Sequence, residues 1–202
     1  MVITERETIR RQLYRVELDG EPAGTIDRRT LDEAGYRLGD SVTESEWQAL
    51  KEASARNRAR EKALYLLSLR DHSKGELVRK LTEEAGEEIA AQTADRMEEL
   101  GFLDDEALSR RWAADLSRRK CYPRRRVEQE LTAKGFDRET AREAAAQTLT
   151  EDSVLALELL RKKYYNKMAT EDGRRKTTAA LARYGFSYEA IRRAIHNFQI
   201  ED

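Results

Sequence analysis

The chain has 202 residues, of which 38% are charged, and its 38 Lys and Arg against 39 Asp and Glu leave a formal net charge of −1. One cysteine rules out an internal disulfide, and no apolar run approaches the about 20 residues that span a membrane, so we expect a soluble cytoplasmic protein. The charge is uneven, with 17 basic against 22 acidic residues in 1–100 and 21 against 17 in 101–202. This asymmetry is either chance on a charge-rich surface or the mark of an anionic partner for the second half.

Residues 1–57 predict a small β-hairpin-like element followed by helix. Residues 14–18 alternate apolar and charged side chains, a period-two strand pattern, and residues 24–27 supply a short partner strand. A helical segment is expected from about Thr30 to Tyr36. Thr43 and Glu46 then have capping-box spacing, and a helical pattern runs from there to about Arg70.

Beyond residue 57 the chain repeats itself with a period of 50 residues. The recurring positions are Leu77, Val127 and Thr177, then Leu81, Leu131 and Leu181, with Gly135-Phe136 returning as Gly185-Phe186. Each repeat predicts three helices, with a glycine just past the second. The sequence thus predicts an all-α fold of tandem three-helix repeats at 58–101, 102–149 and 150–202, forming an elongated curved body beside the N-terminal element.

Apolar stripes within the repeats are interpreted as core. In the third repeat, the first helix is expected to place one stripe inward: Val154, Leu157, Leu160, Tyr164 and Met168. Neighbouring repeats of about 50 residues are expected to stack, since each alone buries little.

The sequence argues against catalysis, a cofactor or a metal site. His72 and His196 have no second histidine or cysteine at ligand spacing, and no phosphate-binding glycine loop or nucleophile turn occurs. Asp104 and Asp105 resemble a metal-binding pair, but they follow Gly101 and open a helix, where carboxylates cap free N–H groups. We interpret them as structural.

Four basic triplets are the candidate binding residues for an anionic partner. They are Arg118, Arg119 and Lys120; Arg124, Arg125 and Arg126; Arg161, Lys162 and Lys163; and Arg174, Arg175 and Lys176. The second and fourth are predicted to open the second helices of their repeats, exposed and on a shared face. Positive charge in a first helical turn opposes the helix dipole, so local folding does not favour it. Binding to phosphates or to an acidic protein surface would favour this arrangement. The alternative is that the triplets merely form a solvated face.

Several short motifs in order resemble the RecX family. The first lies at Ser73–Leu81 and includes Glu76 and Leu77, and the second is Leu100–Asp105 with Gly101, Asp104 and Asp105. Tyr122–Phe136 carries Glu130, Leu131 and Gly135, and Arg183–Ser187 carries Gly185 and Phe186. The chain departs from the family pattern at Cys121 and Pro123, where glycines are common. The resemblance covers roughly residues 58–198.

The resemblance implies both partner and role. RecX proteins consist of tandem three-helix repeats that bind in the groove of the RecA–DNA filament. They generally inhibit RecA ATPase, strand exchange and coprotease activity, which tempers recombination and the SOS response, and they bind DNA more weakly. By resemblance we expect a monomeric, non-enzymatic regulator.

Two other classes remain open at this point. One is a helix-turn-helix DNA-binding regulator, which would concentrate its base-reading residues in a single recognition helix. The other is a helical-repeat scaffold for an unrelated protein.

Overall fold

The computed structural model describes residues 1–10 and 13–201. It divides into two compact units, Met1–Leu103 and Asp104–Asp202. It is 69% helical, with ten α-helices and one three-stranded sheet among the described residues. This confirms the prediction of an all-α repeat protein with a small N-terminal β element.

The N-terminal element is an antiparallel sheet in which β1 (Ile3–Arg10), β2 (Leu13–Leu18) and β3 (Glu21–Asp27) lie in chain order. The predicted hairpin is β2–β3, and the alternation in β2 buries its apolar side chains against Trp47. The prediction missed β1. Among the described side chains of β1 only Ile3 is buried, so the strand has no period-two pattern.

Two helices follow the sheet. Asp27 caps α1 (Arg28–Ala34), accepting at Oδ1 from the N–H of Thr30 at 3.0 Å. Helix α2 (Glu44–Leu69) opens with the predicted capping box, in which Thr43 and Glu46 exchange side-chain and backbone hydrogen bonds. Because α2 is continuous for 26 residues, the predicted boundary between residues 57 and 58 falls inside a helix. The sheet and the first repeat therefore share α2.

The end of α2 forms the first repeat with α3 (Lys74–Ala85) and α4 (Glu87–Glu99). Its core includes Leu77 and Leu81, which are fully buried. Ion pairs hold its edges: Glu76 contacts Arg70 at 2.6 Å, and Lys74 contacts both Asp95 at 2.7 Å and Glu98 at 2.8 Å. The Arg70 guanidinium lowers the pKa of Glu76 through their hydrogen bond. The motif residue Glu76 thus stabilises the repeat.

The second unit contains the other two repeats. The second repeat comprises α5 (Asp105–Lys120), α6 (Arg124–Ala133) and α7 (Arg138–Ala146). The third comprises α8 (Asp152–Leu159), α9 (Glu171–Tyr184) and α10 (Tyr188–Glu201). Leu131 and Leu181 are fully buried in them, as Leu81 is in the first repeat, which confirms the predicted correspondence.

The first helix of the third repeat differs from its prediction. Helix α8 ends at Leu159 and continues as a π-helical turn, Leu160–Tyr164, and a 3-10 turn, Tyr165–Lys167. Three members of the predicted stripe, Leu157, Leu160 and Met168, are nevertheless buried, and Tyr164 packs against the same core. Val154 is exposed, and Leu155 and Leu159 are buried in addition.

No helix within the described ranges combines the length and the hydropathy that crossing a bilayer requires.

Candidate nucleic-acid interface

The triplet at residues 124–126 opens α6 as predicted, but its members have different surroundings. Pro123 is the N-cap and offers no side-chain hydrogen bond. The Arg124 backbone N–H donates to Asp152 at 3.1 Å, and its guanidinium donates to the Thr148 carbonyl at 3.2 Å. Arg125 is exposed and has no ion-pair or hydrogen-bond partner among the described residues. Arg124 is thus tethered to the loop after α7, while Arg125 is available to a partner.

Arg126 lies between two aromatic rings. Its guanidinium is 4.1 Å from the ring centroid of Tyr122 and 4.4 Å from that of Tyr184. Its Nε is 3.5 Å from Glu130. Tyr184 lies in the third repeat, and its hydroxyl donates to the Lys120 carbonyl at 2.9 Å, so these contacts join the second and third repeats. Burial raises the pKa of Tyr184, which therefore stays a neutral hydrogen-bond donor.

The prediction that residues 174–176 open α9 is wrong. Thr170 caps the helix, and the acidic residues Glu171 and Asp172 fill its first turn, as the helix dipole favours. The triplet lies one turn later, where Arg175 and Lys176 pair with Asp172 at 3.2 and 2.6 Å. The dipole argument for a partner therefore applies to α6 and not to α9.

Arg174 also differs from the expectation of full exposure. It is half-buried, and its Nε has no hydrogen-bond partner in the part of the chain that the structure describes. Arg174 and Tyr184 are ten positions apart in α9, or about 15 Å along its axis. Basic residues 174–176 therefore lie towards the start of α9, whereas Arg126 of α6 contacts Tyr184 at the end of α9.

The other two triplets are exposed at the ends of first helices. Residues 118–120 form the last turn of α5, where Arg118 and Arg119 contact Asp115 at 3.3 and 3.4 Å. Residues 161–163 lie in the π turn. Lys162 pairs with Glu158 at 3.2 Å, and Lys163 lies 5.9 Å from the Tyr184 ring. π turns inside helices are frequent at functional sites.

Three of the four triplets contribute to one feature, which we call the basic–aromatic cluster: Lys120, Tyr122, Arg126, Lys163 and Tyr184. Lys120 Nζ is 5.5 Å from the Tyr122 ring, and the two tyrosine rings meet edge to face at 5.4 Å. Sequence reasoning identified the cations and missed the function of the tyrosines. For Tyr122 a signal was available, since it lies two positions from both residue 120 and residue 124, between two triplets. For Tyr184, which is far from every triplet in sequence, there was none.

The structure accounts for other motif residues through backbone geometry. Asp104 caps α5, accepting at Oδ1 from the N–H of Ala107 at 2.8 Å, and no metal-binding group occurs among the described residues. Gly185 has φ of +110°, and a Cβ there would lie 3.3 Å from the Cβ of Arg126. Cys121, where the family commonly has glycine, has φ of +52° at the end of α5. Both positions adopt a left-handed conformation that favours glycine.

Family models match the three repeats separately and in order. The RecX first three-helix domain matches residues 59–97, the second matches residues 104–144, and the third matches residues 150–195. These ranges coincide with the three helical triplets described above.

Relatives that match most of the chain point to the same family. The chain is 35% identical over 147 residues to a regulatory protein RecX of Xanthomonas axonopodis pv. citri (strain 306), covering 70% of this chain and 88% of that protein. It is 26% identical to a regulatory protein RecX of Clostridioides difficile (strain 630), covering 96% and 94%.

Solved structures share the fold. A crystal structure of a regulatory protein RecX superposes with a TM-score of 0.67 at 21% identity, covering 97% of this chain and 98% of that one. The RecX crystal structure from Lactobacillus salivarius gives 0.64 at 18% identity, covering 73% and 99%. From the domain matches and the relatives together, we conclude that this chain belongs to the RecX family of regulatory proteins.

Proposed function

We propose that this protein is a non-enzymatic cytoplasmic regulator that binds the RecA–DNA filament as a monomer. Binding lowers RecA ATPase, strand exchange and coprotease activity, and thereby tempers recombination and the SOS response. The observation that carries the proposal is the ordered match of all three RecX domains to residues 59–195.

The charge distribution of the chain supports a partner that contains DNA. The second half of the chain carries the four basic triplets, and two of its exposed cations, Arg125 and Lys163, have no acidic partner among the described residues. Free cations of this kind are suited to displacing counterions from phosphates. Arg126 has a different role in the proposal: it fixes the second and third repeats relative to each other through Tyr122 and Tyr184.

Direct DNA contact is expected to be weaker than filament binding and independent of base sequence. A base-reading helix needs several side chains free at its start. Arg124 is tethered to the Thr148 carbonyl, and Arg126 is enclosed by two rings. Only Arg125 is left free in the first turn of α6, which favours contact with phosphates over recognition of bases.

The test is binding of a charge-reversed variant to two targets. Arg125→Glu with Lys163→Glu reverses two exposed cations that have no acidic partner among the described residues, and Arg142→Glu with Arg193→Glu makes the same charge change on α7 and α10. Labelled single-stranded DNA is titrated from 50 to 200 mM salt, and preformed RecA filaments are tested by co-sedimentation. We expect the first variant to bind DNA roughly tenfold more weakly. The slope of log affinity against log salt concentration should become shallower by about one to two, whereas the control variant should change little in either.

Three results would contradict the proposal. Absence of the wild-type protein from sedimented filaments at saturating concentration would exclude RecA as the partner. Equal DNA affinity of both variants and wild type at every salt concentration would show that the two cations do not contact phosphate. A strong preference for one DNA sequence would favour a helix-turn-helix regulator instead.

A further inference from the structure

The third helix of the second repeat is shorter than its counterparts. Helices α4 and α10 have 13 and 14 residues, whereas α7 has nine and ends at Ala146. The N-caps of these helices are Gly86, Asp137 and Ser187. The residues 11 positions after each N-cap are Met97, Thr148 and Phe198. The large residues Met97 and Phe198 are buried in the cores of their repeats. The second repeat thus lacks both a final helical turn and the bulky side chain which that turn carries elsewhere.

An open groove lies where that turn is missing. It has a volume of about 460 Å³, within the usual range for pockets that bind small ligands. Helix α5 forms one wall with Arg110, Ala114 and Arg118, and Ala144 of α7 forms the other with Thr148 and Leu149, which follow that helix. Leu149 is 99% exposed at the rim. Most of the exposed surface of the groove is apolar, although the polar residues Ser117, Gln147 and Thr150 also line it.

Two arginines stand at the rim, and each forms an ion pair with an acidic residue of α5. Arg110 and Arg118 are eight positions apart on one face of α5, or about 12 Å. Arg110 pairs with Glu106 at 2.8 Å and Arg118 with Asp115 at 3.3 Å. Exposed pairs of this kind within one helix contribute little energy, so an incoming carboxylate can replace them. No aromatic side chain lines the groove to stack on a nucleic-acid base.

We propose that this groove binds a helical segment of a partner protein, in which one bulky apolar residue is flanked by acidic residues one turn away on each side. The apolar side chain packs over Thr148, the small residue that stands where the other repeats have Met97 and Phe198. The flanking carboxylates contact Arg110 and Arg118, whose spacing matches two helical turns. The groove shares no residue with the basic–aromatic cluster, and the proposal does not depend on RecA being the partner.

The experiment uses the full chain and a synthetic probe. The probe is a fluorescein-labelled, alanine-rich helical peptide of 15 residues with a central leucine and glutamates one turn before and after it. Two matched peptides replace the leucine by alanine or the glutamates by lysine. We expect the probe to bind, and each matched peptide to bind at least tenfold more weakly.

Variants of the protein locate the binding. Ala114→Leu fills the groove from an exposed helical position, so it should fold normally and bind the probe at least tenfold more weakly. Ala114→Ser keeps the groove open and should bind as wild type does. Arg110→Glu with Arg118→Glu should also abolish binding, whereas Arg138→Glu with Arg142→Glu on α7 should not. DNA affinity should be unaltered in Ala114→Leu.

Several results would overturn the proposal. One is equal binding of the leucine and alanine peptides, and another is undiminished binding to Ala114→Leu. Competition of the probe by single-stranded DNA would assign the groove to nucleic acid. A dimer in sedimentation velocity that Ala114→Leu dissociates would assign it to a second copy of the chain.

Discussion

Replacing Arg126 tests how the second and third repeats are held together. The guanidinium contacts two rings, at 4.1 and 4.4 Å, and the side chain is 29% exposed. A cation–π contact contributes about 0.5–1 kcal/mol when exposed and about 2 kcal/mol when desolvated. Two partly buried contacts therefore predict that Arg126→Ala lowers the free energy of unfolding by about 1–3 kcal/mol. Arg126→Lys should regain less than half of this, because an ammonium keeps the charge and loses the planar stacking.

The assay is urea unfolding in a Trp47→Phe background, followed by fluorescence of the remaining tryptophan, Trp112, which packs edge to face on Phe136 in the second repeat at 5.4 Å. A double-mutant cycle with Tyr122→Leu separates the ring contact from other consequences of truncation. We expect a coupling energy above about 0.5 kcal/mol, the lower end of the range for residues in contact. The reasoning fails if Arg126→Ala stays within about 0.5 kcal/mol of wild type, the range of ordinary surface substitutions. It fails equally if Arg126→Lys is as stable as wild type.

Three further predictions concern stability. Leu131→Ala should cost about 2–5 kcal/mol in denaturant unfolding, because it empties a fully buried position of the second repeat; a loss below 1 kcal/mol would contradict that packing. Glu76→Gln should destabilise the protein at pH 7, and its difference from wild type should shrink as the solution is acidified. Arg70 lowers the folded-state pKa of Glu76, so the stabilisation is fully present above the unfolded pKa of about 4.3 and is lost as pH falls through the lower folded-state pKa; a difference that does not shrink on acidification would refute this. Cys121→Val should be less stable than Cys121→Gly in thermal melting, since a β-branched residue is strained at φ of +52° and glycine is not; the reverse order would contradict the left-handed geometry.

Periodic patterns predicted the helices and their cores. The 50-residue spacing of Leu81, Leu131 and Leu181 identified three buried positions that each repeat uses in the same way. The alternation in residues 14–18 identified β2. These predictions succeeded because each rested on one element that faces a core on one side, which imposes a period on its sequence.

The errors arose where no single period applies. Strand β1 has one buried described side chain, so it has no alternation to detect. In α8 the predicted stripe placed Val154 inward, but this strongly apolar helix buries Leu155 and Leu159 and leaves Val154 exposed. The start of α9 was misplaced because the basic triplet matched its equivalent in α6, although Thr170 and two acidic residues supply a cap and first turn further back.

The candidate site was predicted in part. Composition and repeat spacing located the basic triplets, but sequence cannot say which cations are already satisfied. Arg125 and Arg126 are adjacent, and one is free while the other lies between two rings. That difference depends on Tyr184, which is far away in sequence and comes close only when the third repeat packs on the second. The groove beside Leu149 was likewise invisible, because it results from helix α7 ending early.

The central claim is that this protein regulates RecA, and titration of RecA ATPase on single-stranded DNA tests it most directly. RecA from the same organism is assembled on DNA with ATP, and phosphate release is followed as the full chain is added up to molar excess. We expect progressive inhibition at or below one protein per RecA subunit, with no ATP hydrolysis by the protein alone. Contacts spread over several repeats add through multivalency, so a fragment of residues 104–202 should inhibit less well. An unaltered rate of hydrolysis with the full chain in excess would contradict the account.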